Sequence, residues 1–308
     1  MIAVSLAFDG REGAGRDVHR LAGEDVLIGG GWPELAPFRR GCEAPWLGAA
    51  PHPEAAFEEL RYHGPARVGT DAPVLTCTQG EAGYLLKAEA GATLWVTGDG
   101  ARITQCDVGD ASSEAPSAEL LFGPALLLAL ALRGTFALHA SAVRRGDRVV
   151  AFVGPSGAGK STLAALLAAP EVGCERVADD ILPFALVNGA PRAMPAFPQL
   201  KLGAAAQWNG AQPESLSLVA VYRLAQVAVD DAAGNDAPRV VPLHGADAMA
   251  ALTAHSVATA LFGPELLRRH FDAIAAASRV LRIAELRFPR RLDVGPAIRD
   301  LLDEDLDG

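Results

Sequence analysis

Residues Arg148 to Ala169 read RVVAFVGPSGAGKSTLAALLAA, and three kinds of segment follow one another inside that stretch. RVVAFV is an apolar run rich in β-branched residues, the pattern of a buried strand. GPSGAGKST, Gly154 to Thr162, matches G-x-x-x-x-G-K-S. TLAALLAA then supplies good helix formers with no breaker among them. A strand, a glycine-rich loop and a helix in this order make a cradle for phosphate. The glycines let the backbone approach the anion, and the loop amides and the helix N-terminus point at its charge. An ordinary glycine-rich turn is the bland alternative, and the flanking strand and helix count against it.

The pattern assigns a nucleotide's phosphates to Gly154, Ser156, Gly157, Ala158, Gly159, Lys160, Ser161 and Thr162. Lys160 reaches the β- and γ-phosphates, and the Ser161 hydroxyl is placed to ligate Mg²⁺. Further on, RVADD (Arg176 to Asp180) is a short strand-like run that ends in two carboxylates. Neighbouring strand residues face opposite ways, so one of Asp179 and Asp180 suits the metal and the other suits a proton from an incoming hydroxyl. An acidic turn or helix cap is the competing reading of that pair. His139, in LHASAV, joins them only if Phe136 to Val143 and Arg148 to Val153 form a hairpin in the right register. A hydrogen-bonded core histidine is the equal alternative.

Working outward, the chain has 308 residues, 50% of them hydrophobic, which suffices for one large or two ordinary domains. Its 27 basic and 37 acidic residues leave a net charge of −10, so nucleic acid and anionic membranes are not expected partners. Cys42, Cys77, Cys106 and Cys174 make no C-x-x-C pair and no disulfide scaffold, which fits a reduced cytoplasmic setting. The opening MIAVSLAFDGREGAGRD meets charges too early for a signal peptide. ALLLALAL, Ala125 to Leu132, is far shorter than the roughly 20 residues of a membrane span.

Before Cys106 the chain carries short apolar runs such as VLIGG, YLLKA and TLWVTG, broken by turn formers. CDVGDASSEAPS then reads as a surface connection. The expected organisation is a small strand-rich domain over residues 1–117 and an α/β domain over residues 118–308. VDDAAGND, within Ala228 to Pro238, reads as an exposed acidic loop.

The run FALHASAVRRGDRVVAFVGPSGAGKSTLAALL, followed by ERVADDILPF, resembles the C-terminal kinase domain of HPr kinase/phosphorylase and its relatives. Three features recur in order: His139, the Gly154 to Thr162 loop, and Asp179-Asp180. The resemblance implies a mixed sheet like that of HPr kinases and phosphoenolpyruvate carboxykinases. It also implies ATP and Mg²⁺ as cofactors, with Lys160 and Ser161 on phosphate and metal. His139, Asp179 and Asp180 would surround the transferred phosphoryl group. FPQLKL (Phe197 to Leu202) and LRIAELRFPRRLD look more like HPr-kinase-related proteins, some of which phosphorylate a serine on lasso-peptide precursors.

The resemblance covers roughly residues 118–293, strongly at the loop and weakly at its ends. An E-x-R-G-x-G signature of HPr kinase/phosphorylases is missing, which points away from HPr itself and from phosphorylase activity. The expectation is therefore an ATP- and Mg²⁺-dependent kinase acting on a serine of a peptide or protein acceptor. Assembly into a homo-oligomer is implied by the resemblance alone. A P-loop ATPase switch, a bifunctional HPr-type enzyme and a non-catalytic nucleotide-binding module are the alternatives. No LSGGQ-like or NKxD segment favours the switch, and Lys160 and both aspartates are intact.

Overall fold

The computed structural model describes residues 1–5, 17–28, 32–43, 59–65, 74–89, 92–106, 116–170, 172–200, 213–227, 237–290 and 292–307. The acidic segment 228–236 and Lys201 lie outside them. The chain is α/β with mixed sheets and falls into two compact units that interleave along the sequence. The first takes in 1–136, 203–214 and 258–270; the second takes in 137–202, 215–257 and 271–308. The sequence reading draws a single boundary after residue 117, whereas the first unit runs on to Phe136.

The first unit is built on nine strands: β1 (Ile2–Ser5), β2 (Asp17–Leu21), β3 (Glu24–Ile28), β4 (Arg39–Glu43), β5 (Glu59–Pro65), β6 (Val74–Gly80), β7 (Gly83–Ala88), β8 (Thr93–Thr97) and β9 (Arg102–Cys106). They form one sheet in the order β4-β2-β3-β1-β9-β8-β7-β6-β5, with β1 parallel to both neighbours. Leu75 and Cys77, Leu86, Leu94 and Val96, and Ile103 are buried on one face, as the period of two along each strand requires. After α1 (Ala118–Leu120), α2 (Leu126–Leu132) lies against β8 and β9. A kink at Gly123-Pro124 separates the two helices, where proline removes a backbone donor. Every residue from Leu126 to Ala131 is buried, so the apolar stretch read from the sequence is a core helix. It joins the first unit because its side chains cover the strands there.

The second unit opens with a hairpin of β10 (Phe136–Arg145) and β11 (Arg148–Val153), closed at Gly146-Asp147. It continues through α3 (Lys160–Leu167), β12 (Glu175–Ala178), β13 (Ile181–Val187), β14 (Ala190–Ala193), β15 (Leu216–Val227), β16 (Arg239–Pro242) and α4 (Gly245–Ala254). After α5 (Pro264–Ser278), of which residues 264–270 belong to the first unit, come β17 (Arg282–Pro289) and α6 (Gly295–Asp307). The eight strands form one mixed sheet in which β15 runs parallel to both β11 and β17.

Leu163, Ala164 and Leu167 of α3 pack with Phe152, Tyr222, Leu224, Leu286 and Phe288 of the sheet and with Ile298 and Leu302 of α6. Each such leucine contributes about 2 kcal/mol by leaving water. This core fixes the start of α3 at the end of β11, which is where the glycine-rich loop must sit. Among the described residues, no helix is long and apolar enough to cross a membrane, which says nothing of β-barrels.

Candidate functional site

The loop from Gly154 to Gly159 joins the last residue of β11 to the first turn of α3. Gly157 and Gly159 have φ of +82° and +89°, a conformation that costs most residues strain and costs glycine none. An ideal Cβ on Gly159 would stand 2.8 Å from Gln226 Nε2, so the loop also passes close to β15. Lys160 is buried, and its Nζ donates to the carbonyls of Gly154 at 2.8 Å and Pro155 at 3.1 Å. The ammonium is therefore folded back over the concave side of the loop. Ser156, Gly157, Ser161 and Thr162 are exposed, Ala158 and Gly159 half-buried. Most of the residues assigned to phosphate thus stand at or near the surface around the start of α3, with the Lys160 ammonium folded in beside them.

His139 reaches the same end of the sheet through the hairpin register. Ala140 stands opposite Val153, the residue before Gly154, so His139 lies one step beyond the end of β11. β12 pairs with β10 and ends at Ala178, which carries Asp179 and Asp180 to the same place. The amide of Ala140 donates to the Asp180 carbonyl at 3.1 Å. His139 Nδ1 lies 3.1 Å from that carbonyl and 3.1 Å from Asp180 Oδ1. Both partners of Nδ1 are oxygens, which suits the tautomer that carries its proton on Nδ1.

Asp179 is held differently. It is 9% exposed; the Ser141 hydroxyl donates to its carbonyl at 3.3 Å, and Arg176 lies 3.7 Å from its carboxylate. Two adjacent carboxylates thus have unlike surroundings, the usual means by which neighbouring acids are given separate roles.

Several residues of the site were given no role by the sequence reading. Gln199 is fully buried, and its Oε1 accepts from the amides of Asp179 and Asp180, both at 3.0 Å, and of Ile181 at 3.4 Å. Its Nε2 donates to the carbonyls of Ile181 and Phe197. One side chain so fixes the turn that presents both aspartates. His255 sits at the end of α4, and its carbonyl accepts from the His139 amide at 2.7 Å. Burial pushes the His255 pKa down, and the charges of Lys160, His139 and Arg223 push it further the same way. Ser141 offered a signal, being two residues from His139 on the same strand face. Gln199 lies in the FPQLKL run, but nothing local marks it as a clamp, since the atoms its amide meets are backbone groups of a distant segment and of its own turn.

Among the described residues, no cluster of three or more His, Cys, Asp or Glu could hold a metal. Asp179, Asp180 and Ser161 offer hard oxygen donors only. That set fits Mg²⁺, which keeps waters and shares substrate phosphates rather than sitting in an all-protein cage.

No family model matches the chain, and no curated protein matches it. Among solved structures, the Hpr(Ser) kinase/phosphatase from Coxiella burnetii aligns at 12% identity over 56% of this chain and 99% of that one. Its TM-score is 0.29, a likeness too slight to bear on what this chain does.

Proposed function

We propose that the chain is an ATP- and Mg²⁺-dependent kinase that transfers the γ-phosphoryl group to a serine hydroxyl of a peptide or protein acceptor. The observation that carries this reading is the β10–β11 register. It sets the His139–Asp180 pair beside the strand end from which the glycine-rich loop departs.

Loop amides and Lys160 hold the triphosphate and offset charge on the transferred group. Asp179 and Ser161 are the residues that would hold Mg²⁺, which neutralises phosphate charge when bound. The serine oxygen bonds to the γ-phosphorus, and the bond to the leaving ADP oxygen breaks. The serine proton passes to His139 Nε2, while Asp180 keeps the imidazole in the required tautomer and steadies its positive charge. Catalysis on this scheme is positioning and electrostatics.

The strand-rich first unit is assigned a share in recognising the acceptor, because its sheet has no part in the nucleotide binding assigned to the second unit. A ribosomally made precursor peptide is the acceptor type favoured by the resemblance. A cytoplasmic setting and a homo-oligomer belong to the same proposal. Deleting residues 1–117 is a poor test of the assignment, since it strips the cover from Leu126 to Ala131.

The test uses the full chain with Mg²⁺ and γ-labelled ATP, with and without a serine-bearing peptide. Label moves onto the peptide in wild type and is lost in Lys160→Ala, Asp179→Asn and His139→Asn. Release of free phosphate regardless of peptide, still dependent on Lys160, would identify an ATPase switch instead.

A further inference from the structure

β15, β17 and β16 lie side by side, and one face of them carries two adjoining rows of residues. Arg223, Glu285 and Val241 stand opposite one another in the first row; Ala225, Arg287 and Arg239 form the second. Residues paired across strands share a face, and so do residues two apart along a strand. Arg223, Glu285, Arg287 and Arg239 therefore project from the same side. Glu285 is the one carboxylate in the set, and its side chain is only 13% exposed. It accepts from Arg223 at 2.6 Å and from Arg287 at 2.5 Å. Burial raises the Glu285 pKa, but the two guanidiniums outweigh burial and hold it below the usual carboxylate range.

Arg239 is exposed, makes no ion pair among the described residues and stands directly opposite Arg287. Like charges set opposite each other on neighbouring strands cost stability. The face thus holds three guanidiniums against one carboxylate, in a chain whose net charge is −10. Its inner end touches the candidate site: Arg223 pairs with Val153, the residue before Gly154. Its outer end is Arg239 on β16, three strand spacings from β11, or about 14 Å. That distance matches about four residues of extended peptide.

We propose that this arginine face docks the acceptor, and that the acceptor is acidic: a peptide whose Asp or Glu side chains flank its serine. The carboxylates seat on Arg287 and Arg239 and relieve their repulsion, while the serine reaches towards His139. The identity of the occupant as acceptor rests on the kinase reading; the docking of an acidic peptide does not.

The test separates the two. Two fluorescent peptides are titrated against the full chain at low salt, each with one serine, flanked by three glutamates in one and by three glutamines in the other. The glutamate peptide is expected to bind at least about tenfold tighter, with the advantage shrinking as salt rises. Arg239→Gln and Arg287→Gln should each remove roughly threefold to tenfold of it, and Arg239→Glu should favour a lysine-flanked peptide instead. Arg279→Gln, at an exposed position in the turn after α5, is the control and should change nothing.

Equal binding of the two peptides, or a preference untouched at Arg239, overturns the proposal. So does an equal fall in ATP affinity in Arg239→Gln, which would give the row to the nucleotide. Transfer of label from γ-labelled ATP is read separately. Arg239-dependent binding without transfer keeps the docking face and removes the kinase reading; transfer without charge preference does the reverse.

Discussion

Gln199 Oε1 accepts the backbone N–H of Asp180 at 3.0 Å, from a side chain that is only 2% exposed. The same oxygen takes the amide of Asp179, and Nε2 answers the carbonyl of Ile181. Replacing Gln199 by Leu leaves these buried groups without partners, at a cost of about 2–4 kcal/mol. The functional consequence is specific. The Mg²⁺ concentration needed for half-maximal nucleotide binding should rise several-fold, whereas binding of ATP in EDTA should not change. Gln199→Glu keeps the acceptor oxygen and should lose less. A wild-type protein whose ATP affinity ignores Mg²⁺ would remove the aspartates' metal role. A Gln199→Leu variant that binds Mg·ATP normally would remove only the positioning role of Gln199.

That clamp marks the limit of what the sequence discloses. The strand, loop and helix from Arg148 to Leu167 are legible because their signals are local: a β-branched run, glycines at positive φ and a helix whose apolar side meets a sheet. The hairpin was legible too, and its register could be settled only by tertiary pairing, which placed Ala140 opposite Val153. Asp179-Asp180 was visible as a pair, but the unlike surroundings of the two come from Ser141 and His139, both distant in sequence, as well as from Arg176 within the same run. The division into units was not legible. Turn composition marks where a chain crosses the surface, whereas α2 joins the first unit because its side chains are buried there, which no local pattern encodes.

Gly159 gives a test of the loop's backbone. At φ +89° an added Cβ is strained by about 1–2 kcal/mol, and it meets Gln226 Nε2 at 2.8 Å. Gln226 is flexible at its tip and can yield, so the strain should be relieved by rotating the neighbouring peptide planes. Those planes carry the amides assigned to phosphate. Gly159→Ala is expected to weaken nucleotide binding at least tenfold, measured by titration with a fluorescent ATP analogue. Gly173→Ala, at φ +79° with open space around it, shares the strain and should leave nucleotide affinity unchanged.

Three half- to fully buried histidines set a pH dependence. Burial lowers the pKa of His19, His255 and His270 below the ordinary value of about 6.5. The unfolded chain therefore binds more protons than the folded one as pH falls through that range, so stability is full above about pH 6.5 and declines below it. Carboxylates contribute at lower pH, which leaves pH 7.5 to 5.5 as a window for the histidines. Urea midpoints should fall across it, and His19→Gln or His270→Gln should each flatten the decline whatever the variant's stability at pH 7.5. An unchanged slope in both would mean that neither histidine stays neutral in the folded state.

α6 is fastened to the sheet by Asp305, whose carboxylate accepts from the Tyr222 hydroxyl at 2.7 Å and from Arg282 at 2.9 and 2.5 Å. Burial alone would raise the Asp305 pKa, but Arg282 and Tyr222 outweigh it and hold the carboxyl below its ordinary range. The same contact, together with burial, pushes the Tyr222 phenol up, so it remains a donor throughout. A depressed folded pKa means stability that is present above the unfolded value of about 3.9 and lost as pH falls through the folded one. Asp305→Asn should cost about 1–3 kcal/mol at pH 7, since Arg282 is itself a third exposed and partly screened. Measured against pH by thermal unfolding, the gap between wild type and variant should narrow below about pH 4. Because α6 packs on α3, whose first residue is Lys160, the variant should also loosen the glycine-rich loop. Faster amide exchange at residues 160–167 would report that coupling, and unchanged exchange there alongside the stability loss would confine Asp305 to holding α6.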